Sequence, residues 1–173
     1  MVCSFAVLIM TSHVYAATKT VFKSCFQGQS CPSKIDLSDI REPSFASPDE
    51  LERALRYDLI ELAPAFVEAE KKYSVNAICL AAIAAFESGW GRYQFENNNI
   101  LGFGSKDFDD EEECIMYVAR FLAENYLSED GQYFGGGYGL EHINIRWNGG
   151  QHWLKEVSEI AFDILERING TGV

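Results

Sequence analysis

The sequence predicts a mainly α-helical domain, and three observations carry that prediction. Ser47-Pro48-Asp49-Glu50 has the form of a capping box with proline at the first helical position. Residues 77–86 are apolar at every position, which fits a helix buried all round. No stretch sustains the two-residue alternation of a half-buried strand.

The elements follow in order from residue 47. Leu51, Leu55, Leu59 and Leu62 continue the first helix at helical spacing, and Pro64 should break it or restart it as far as Tyr73. Asn76 is a good amino-terminal cap for the apolar helix, and Gly89 can stop it. Residues 89–110 carry no clear helix. A helix from about Glu111 to Tyr126 puts Ile115, Val118, Ala119 and Leu122 on one face, and its acidic first turn suits the helix dipole. Residues 128–139 form a glycine-rich loop, read as a mobile lip. A short helix is expected over Leu140–Ile145. The last helix runs from about His152 to Arg167, with Trp153, Val157, Ile160, Ala161 and Ile164 inward.

At 173 residues the chain holds one domain, or one domain with a tail, and can bury about two thirds of its unfolded surface without a metal or disulfide staple. The net charge is −12, so a basic nucleic-acid footprint is absent. Residues 1–47 carry +1 and residues 48–173 carry −13. This shift places a boundary near Ser47, with residues 17–46 as a linker or tail and residues 47–173 as the domain. Phe22, Phe26 or Phe45 could pin the tail to it.

Residues 1–16 read as a signal peptide. The apolar run from Val2 to Met10 is too short to span a bilayer, and Val14-Tyr15-Ala16 puts small residues where signal peptidase would cut, although no basic residue precedes the run. Export without lasting membrane insertion is the expectation. Of five cysteines, Cys3 would leave with the signal. Cys25 and Cys31 bracket a short loop and could bridge. Cys79 and Cys114 lie in apolar helical patterns, as buried thiols or as a second bridge. Neither the cysteine spacing nor the scattered His13, His142 and His152 suits zinc, and no metal or cofactor is expected.

Glu87 needs explaining. Ala84, Ile83 and Leu80 precede it by one and two helical turns, so it continues a buried face. Burial and the carboxyl end of the helix dipole both favour the protonated acid there. A neutral carboxyl is what a glycosidase uses to protonate a leaving-group oxygen.

The run from Tyr73 to Asn76 and then Leu80 to Gly91, which contains Glu87-Ser88-Gly89-Trp90-Gly91, resembles the core of glycoside hydrolase family 73. Asn98 to Gly104 is similar to that family's asparagine–hydrophobic–phenylalanine–glycine signature. Tyr126, Gly135 to Leu140, Ile143 to Asn148 and Trp153 to Ile160 follow its carboxyl-terminal pattern, so the resemblance spans about residues 48–168. It implies a lysozyme-like helical fold with a very small or vestigial β-lobe, and a peptidoglycan β-N-acetylglucosaminidase activity without cofactors.

By position, the resemblance makes Glu87 the general acid. Trp90, Asn99 and Phe103 would shape the glycan cleft, with Asn99 fixing its loop through backbone bonds. Trp147 falls where many members carry a tyrosine near the reaction centre. Tyr138 on the glycine-rich lip could stack on a sugar face or close the core.

The chain departs from the family in its small lobe, where only Ser105 to Asp110 separates the signature from the next helix. An inverting glycosidase places a base carboxylate roughly 6.5–9.5 Å from its acid. Asp107 or Asp109 could serve if the loop folds back, or the substrate's own 2-acetamido group could assist. Asp107-x-Asp109-x-Glu111 is no EF-hand, because Glu112 stands at the sixth position and Val118 at the twelfth. Gly135–Gly139 lacks the Lys-Ser or Lys-Thr of a phosphate loop.

The expectation is therefore a secreted, monomeric enzyme of the bacterial cell envelope. It would cut peptidoglycan glycan strands between N-acetylglucosamine and N-acetylmuramic acid. Two alternatives stay open at this point: a lytic transglycosylase using the same acid, and a peptidoglycan-binding module with weak activity.

Overall fold

A computed structural model describes residues 35–94 and 96–170. The expected signal peptide, the Cys25–Cys31 loop and the pinning residues Phe22 and Phe26 lie outside the described residues. Helix α1 spans Pro48–Ala54, α2 Ala63–Tyr73, α3 Ala77–Ser88, α4 Glu111–Asn125, α5 Leu140–Trp147 and α6 Gln151–Ile168. A 3-10 helix, Tyr57–Leu62, joins α1 to α2. Among the described residues no strand forms, and one isolated parallel bridge pairs Asp39 with Tyr138. The domain is a lysozyme-like helical one with its β-lobe reduced to loops.

The capping signals at Ser47 and Asn76 act where the sequence places them. The Ser47 hydroxyl accepts from the Glu50 amide while the Glu50 carboxylate accepts from the Ser47 amide. Asn76 Oδ1 accepts from the amides of Ile78 and Cys79, each at 3.1 Å. Asp110 caps α4 by accepting from the Glu113 amide at 2.7 Å. One continuous first helix does not form. Leu55 turns extended, at φ −77° and ψ 170°, and Tyr57 takes a left-handed φ of 50°. Leu51, Leu55 and Leu59 are all buried, so their spacing reports burial and not an unbroken helix. Residues beyond the break gain tertiary contacts instead: Arg56 Nη2 bonds Asp163 on α6 at 3.0 Å.

Helix α3 forms the centre, buried from Ala77 to Ala85. It packs on α6 and α2, and α2 in turn packs on α4. Cys79 and Cys114 are free thiols in this core, and burial pushes both up, Cys114 to about 11. Thiols held protonated in this way are poor nucleophiles.

Packing against the helices reaches back beyond the charge break near Ser47. Residues 35–46 form a strap across the helices, with Ile35, Ile40 and Ala46 buried and Phe45 exposed. The Ile40 amide donates to the Tyr138 carbonyl, the Leu140 amide to Leu37 and the Asn76 amide to Ile40. Glu70 on α2 secures the strap's end. Its Oε2 accepts from the Ser44 amide at 2.8 Å and from the Ala77 amide at 2.7 Å. Among the described residues no helix is long and apolar enough to cross a membrane.

Candidate active site

Helix α3 ends at Ser88 because Gly89 adopts a left-handed φ of 57° and accommodates the reversal that follows. Glu87 therefore sits in the last turn of the most buried helix, with its side chain half-buried. Its Oε1 accepts two indole hydrogen bonds, from Trp147 Nε1 at 3.1 Å and from Trp153 Nε1 at 2.9 Å. Trp147 ends α5, and Trp153 lies in the first turn of α6 with 1% exposure. Among the described residues none donates a hydrogen bond to Oε2.

The loop after α3 brings Gly102 against the same carboxyl. Gly102 has φ +61°, and a β-carbon there would stand 3.1 Å from Glu87 Oε2. Asn99, fully buried, holds this loop in shape. Its Nδ2 donates to the carbonyls of Phe103, Gly104 and Lys106, and its Oδ1 accepts from the Phe103 amide at 2.9 Å. Phe103 packs edge-on against Phe121 at 4.7 Å and tilted against Trp147 at 6.3 Å, so the loop and α5 share one aromatic wall.

Gly102→Ala is expected to strain the left-handed backbone by about 1–2 kcal/mol. The same methyl displaces the carboxyl, so kcat on a glycan substrate should fall at least about tenfold, with KM little changed. An unaltered kcat would show that the carboxyl tolerates the methyl.

The other residues singled out from sequence make no hydrogen bond to this carboxyl. Trp90 has a left-handed φ of 66°, and its ring faces the Arg56 guanidinium at 5.1 Å. Tyr138 is tied to the strap: Arg41 lies 3.2 Å over its ring, and its hydroxyl donates to Glu129 at 2.8 Å. That hydrogen bond pushes the phenol up, as the Arg41 guanidinium holds Asp39 low. In the glycine-rich loop Gly135 and Gly137 lie directly against His142, whereas Gly136 has a left-handed φ of +88° and faces open space. Asp107 is exposed and accepts from the Asn97 amide at 3.1 Å. The exposed Asp109 donates its amide to Glu113 at 2.8 Å. Neither aspartate bonds Glu87.

A separate cleft of about 410 Å³ opens between the 3-10 helix and the start of α4, lined by Tyr57, Asp58, Ile60, Glu61, Leu62 and Glu111. None of these residues bonds the Glu87 carboxyl. Among the described residues no group of His, Cys, Asp or Glu side chains could hold a metal.

Two residues of the site escape a reading for single motifs. Trp153 reads from sequence as a core residue, yet its N–H completes the pair on Glu87. Asn98 closes the loop by donating from Nδ2 to the carbonyls of Phe108 and Asp109. A buried indole needs an acceptor, and Glu87 was the acid with an apolar face, so the signal for Trp153 was present.

A half-buried carboxyl at the end of a central helix, beside an aromatic wall, is the kind of group that a glycosidase can use as its acid. The family model described as mannosyl-glycoprotein endo-beta-N-acetylglucosaminidase matches residues 63–156, just over half of the chain, and the chain belongs to this glucosaminidase family of glycoside hydrolases. Two Streptococcus pneumoniae proteins, from strains TIGR4 and R6, are each 26% identical over 162 residues, and both carry the name "Putative endo-beta-N-acetylglucosaminidase". The alignment covers 84% of this chain and 24% and 23% of those proteins, so the chain spans about a quarter of the length of the curated relatives it matches.

Proposed function

We propose that this domain hydrolyses the β-1,4 bond between N-acetylglucosamine and N-acetylmuramic acid in peptidoglycan, with Glu87 as general acid. The observation that carries the reading is the Glu87 carboxyl, held through Oε1 by two indoles with Oε2 left over Gly102. The acid proton passes to the glycosidic oxygen as the bond from the anomeric carbon to that oxygen breaks, and water adds to the anomeric carbon. On a direct route that water loses its proton to a second carboxylate, for which Asp107 and Asp109 are the candidates. On an assisted route the substrate's 2-acetamido oxygen first bonds the anomeric carbon as the leaving group departs, water then displaces it, and the Glu87 carboxylate takes the water's proton. The Asp107 carboxylate already accepts from the Asn97 amide within its own loop, which favours the acetamido route over Asp107. The substrate is the glycan strand of a bacterial cell envelope, reached after export, and the domain works as a monomer. Trp90, Phe103, Tyr138 and Trp147 are the aromatic candidates for sugar contact.

Purified peptidoglycan digested with the protein, then reduced with borohydride, should yield new reduced N-acetylglucosamine ends by mass spectrometry. Anhydro-muramic ends would instead make the protein a lytic transglycosylase. Binding to peptidoglycan with no new ends would leave a binding module.

A further inference from the structure

We infer that Trp153 is a positioning residue for the acid: with Trp147 it locks Oε1 of Glu87 and so assigns the transferable proton to Oε2. The inference rests on the general-acid reading of Glu87 and goes beyond it. An indole N–H can only donate, at any pH. Two such donors at 3.1 Å and 2.9 Å fill the acceptor positions of Oε1. A proton placed on Oε1 would compete with them, so the neutral acid carries it on Oε2. Beneath Oε2 lies Gly102, where no side chain intervenes.

Each indole is itself held by packing. Trp153 is buried and meets the Phe86 ring edge-on at 6.4 Å. Trp147 is wedged between Phe103 at 6.3 Å and Tyr126 at 5.8 Å. The clamp thus joins α3, α5 and α6, and the acid is aimed by residues 60 and 66 positions away in sequence.

The charged form of a carboxyl gains from N–H donors, so losing one indole N–H favours the protonated form. Other titrating groups face the same elements. His152 neighbours Trp153, stands 6.2 Å from Phe86 and pairs with Glu156 at 3.7 Å. His142 on α5 bonds the Gly135 carbonyl, and the phenols of Tyr117 and Tyr126 border the aromatic wall. Burial pushes the Tyr126 phenol up, away from the acidic range, which leaves the imidazoles as the groups to control.

The test uses the full chain labelled with nitrogen-15, carrying His152→Gln to silence the adjacent imidazole. Its three indole N–H signals, assigned through single Trp→Phe variants, are followed from about pH 4 to pH 9. The Trp147 and Trp153 signals should move together with one midpoint, Trp90 should stay, and Glu87→Gln should abolish the movement. In the same background, Trp153→Phe should keep the fold, lower kcat about tenfold and leave KM within about twofold. It should also move the high-pH limb of the rate profile upward, as the loss of a donor to the charged form requires. A purely structural role for Trp153 would lower activity without moving that limb. If Trp153→Phe does not fold, Trp147→Phe reads the same limb from a half-buried position. Indoles that do not respond to Glu87, or a limb that stays in place, would overturn the clamp even where Glu87→Gln is inactive. A fully active Glu87→Gln would overturn the general-acid reading and this inference with it.

Discussion

Glu87→Gln is expected to fold as the parent does and to lose about 10²–10⁴-fold in kcat on peptidoglycan, the range that a positioned general acid contributes. The amide is nearly isosteric with the acid. Its oxygen can still accept from Trp147 and Trp153, so the packing of α5 and α6 against α3 is preserved. What disappears is the transferable proton at Oε2. Release of reduced N-acetylglucosamine ends gives the rate, and circular dichroism with thermal melting gives the fold. Turnover within threefold of the parent, from a correctly folded variant, would remove Glu87 from the mechanism.

Glu70→Ala is expected to be the most damaging single change to stability outside the site. The variant leaves the buried Ser44 and Ala77 amides without their shared acceptor, and each orphaned amide costs about 1–3 kcal/mol. The total of about 2–6 kcal/mol should lower the melting temperature by roughly 5–20 °C for a domain of this size. Glu70→Gln retains a carbonyl oxygen for both amides and should recover about half of the loss. The Ala77 end of α3 lies about 15 Å from Glu87 along the helix, so activity well below the melting temperature should survive. Urea unfolding of the three proteins decides the matter. An alanine variant within about 0.5 kcal/mol of the parent would show that the strap's end is held by other contacts.

Much of the helical frame is legible in the sequence because its signals are local. Ser47 with Glu50, Asn76, Gly89 and Asp110 mark helix ends through bonds that span two to four residues. The inward faces of α4 and α6 follow from the 3.6-residue period, and Ile115, Val118, Leu122, Trp153, Val157 and Ile164 are all buried. Contacts between distant residues are much less legible. The break at Leu55 has no proline or glycine to announce it, and it is stabilised by partners such as Asp163, about a hundred residues on.

The acid itself was legible as a polar residue on an apolar face, but its surroundings were only half read. Sequence supplies the apolar neighbours of Glu87. It does not supply the two N–H donors to its Oε1, because those arrive from α5 and α6 through tertiary packing. The acidic run from Asp107 to Glu113 shows the opposite difficulty. It offers many carboxylates, and the loop and helix start use several of them for their own amides: Asp107 for Asn97, Asp110 for Glu113 and Glu113 for Asp109.

The strap also decides what a minimal version of this domain must contain. A polypeptide trimmed to begin at Ser47 would keep every local instruction for α1, including the capping box and the proline. It would nevertheless open an apolar hollow where Ile40 sits and leave the Asn76 and Leu140 amides without their acceptors. Trimming at a helix start would therefore remove a buried side chain and two backbone acceptors that the helices use.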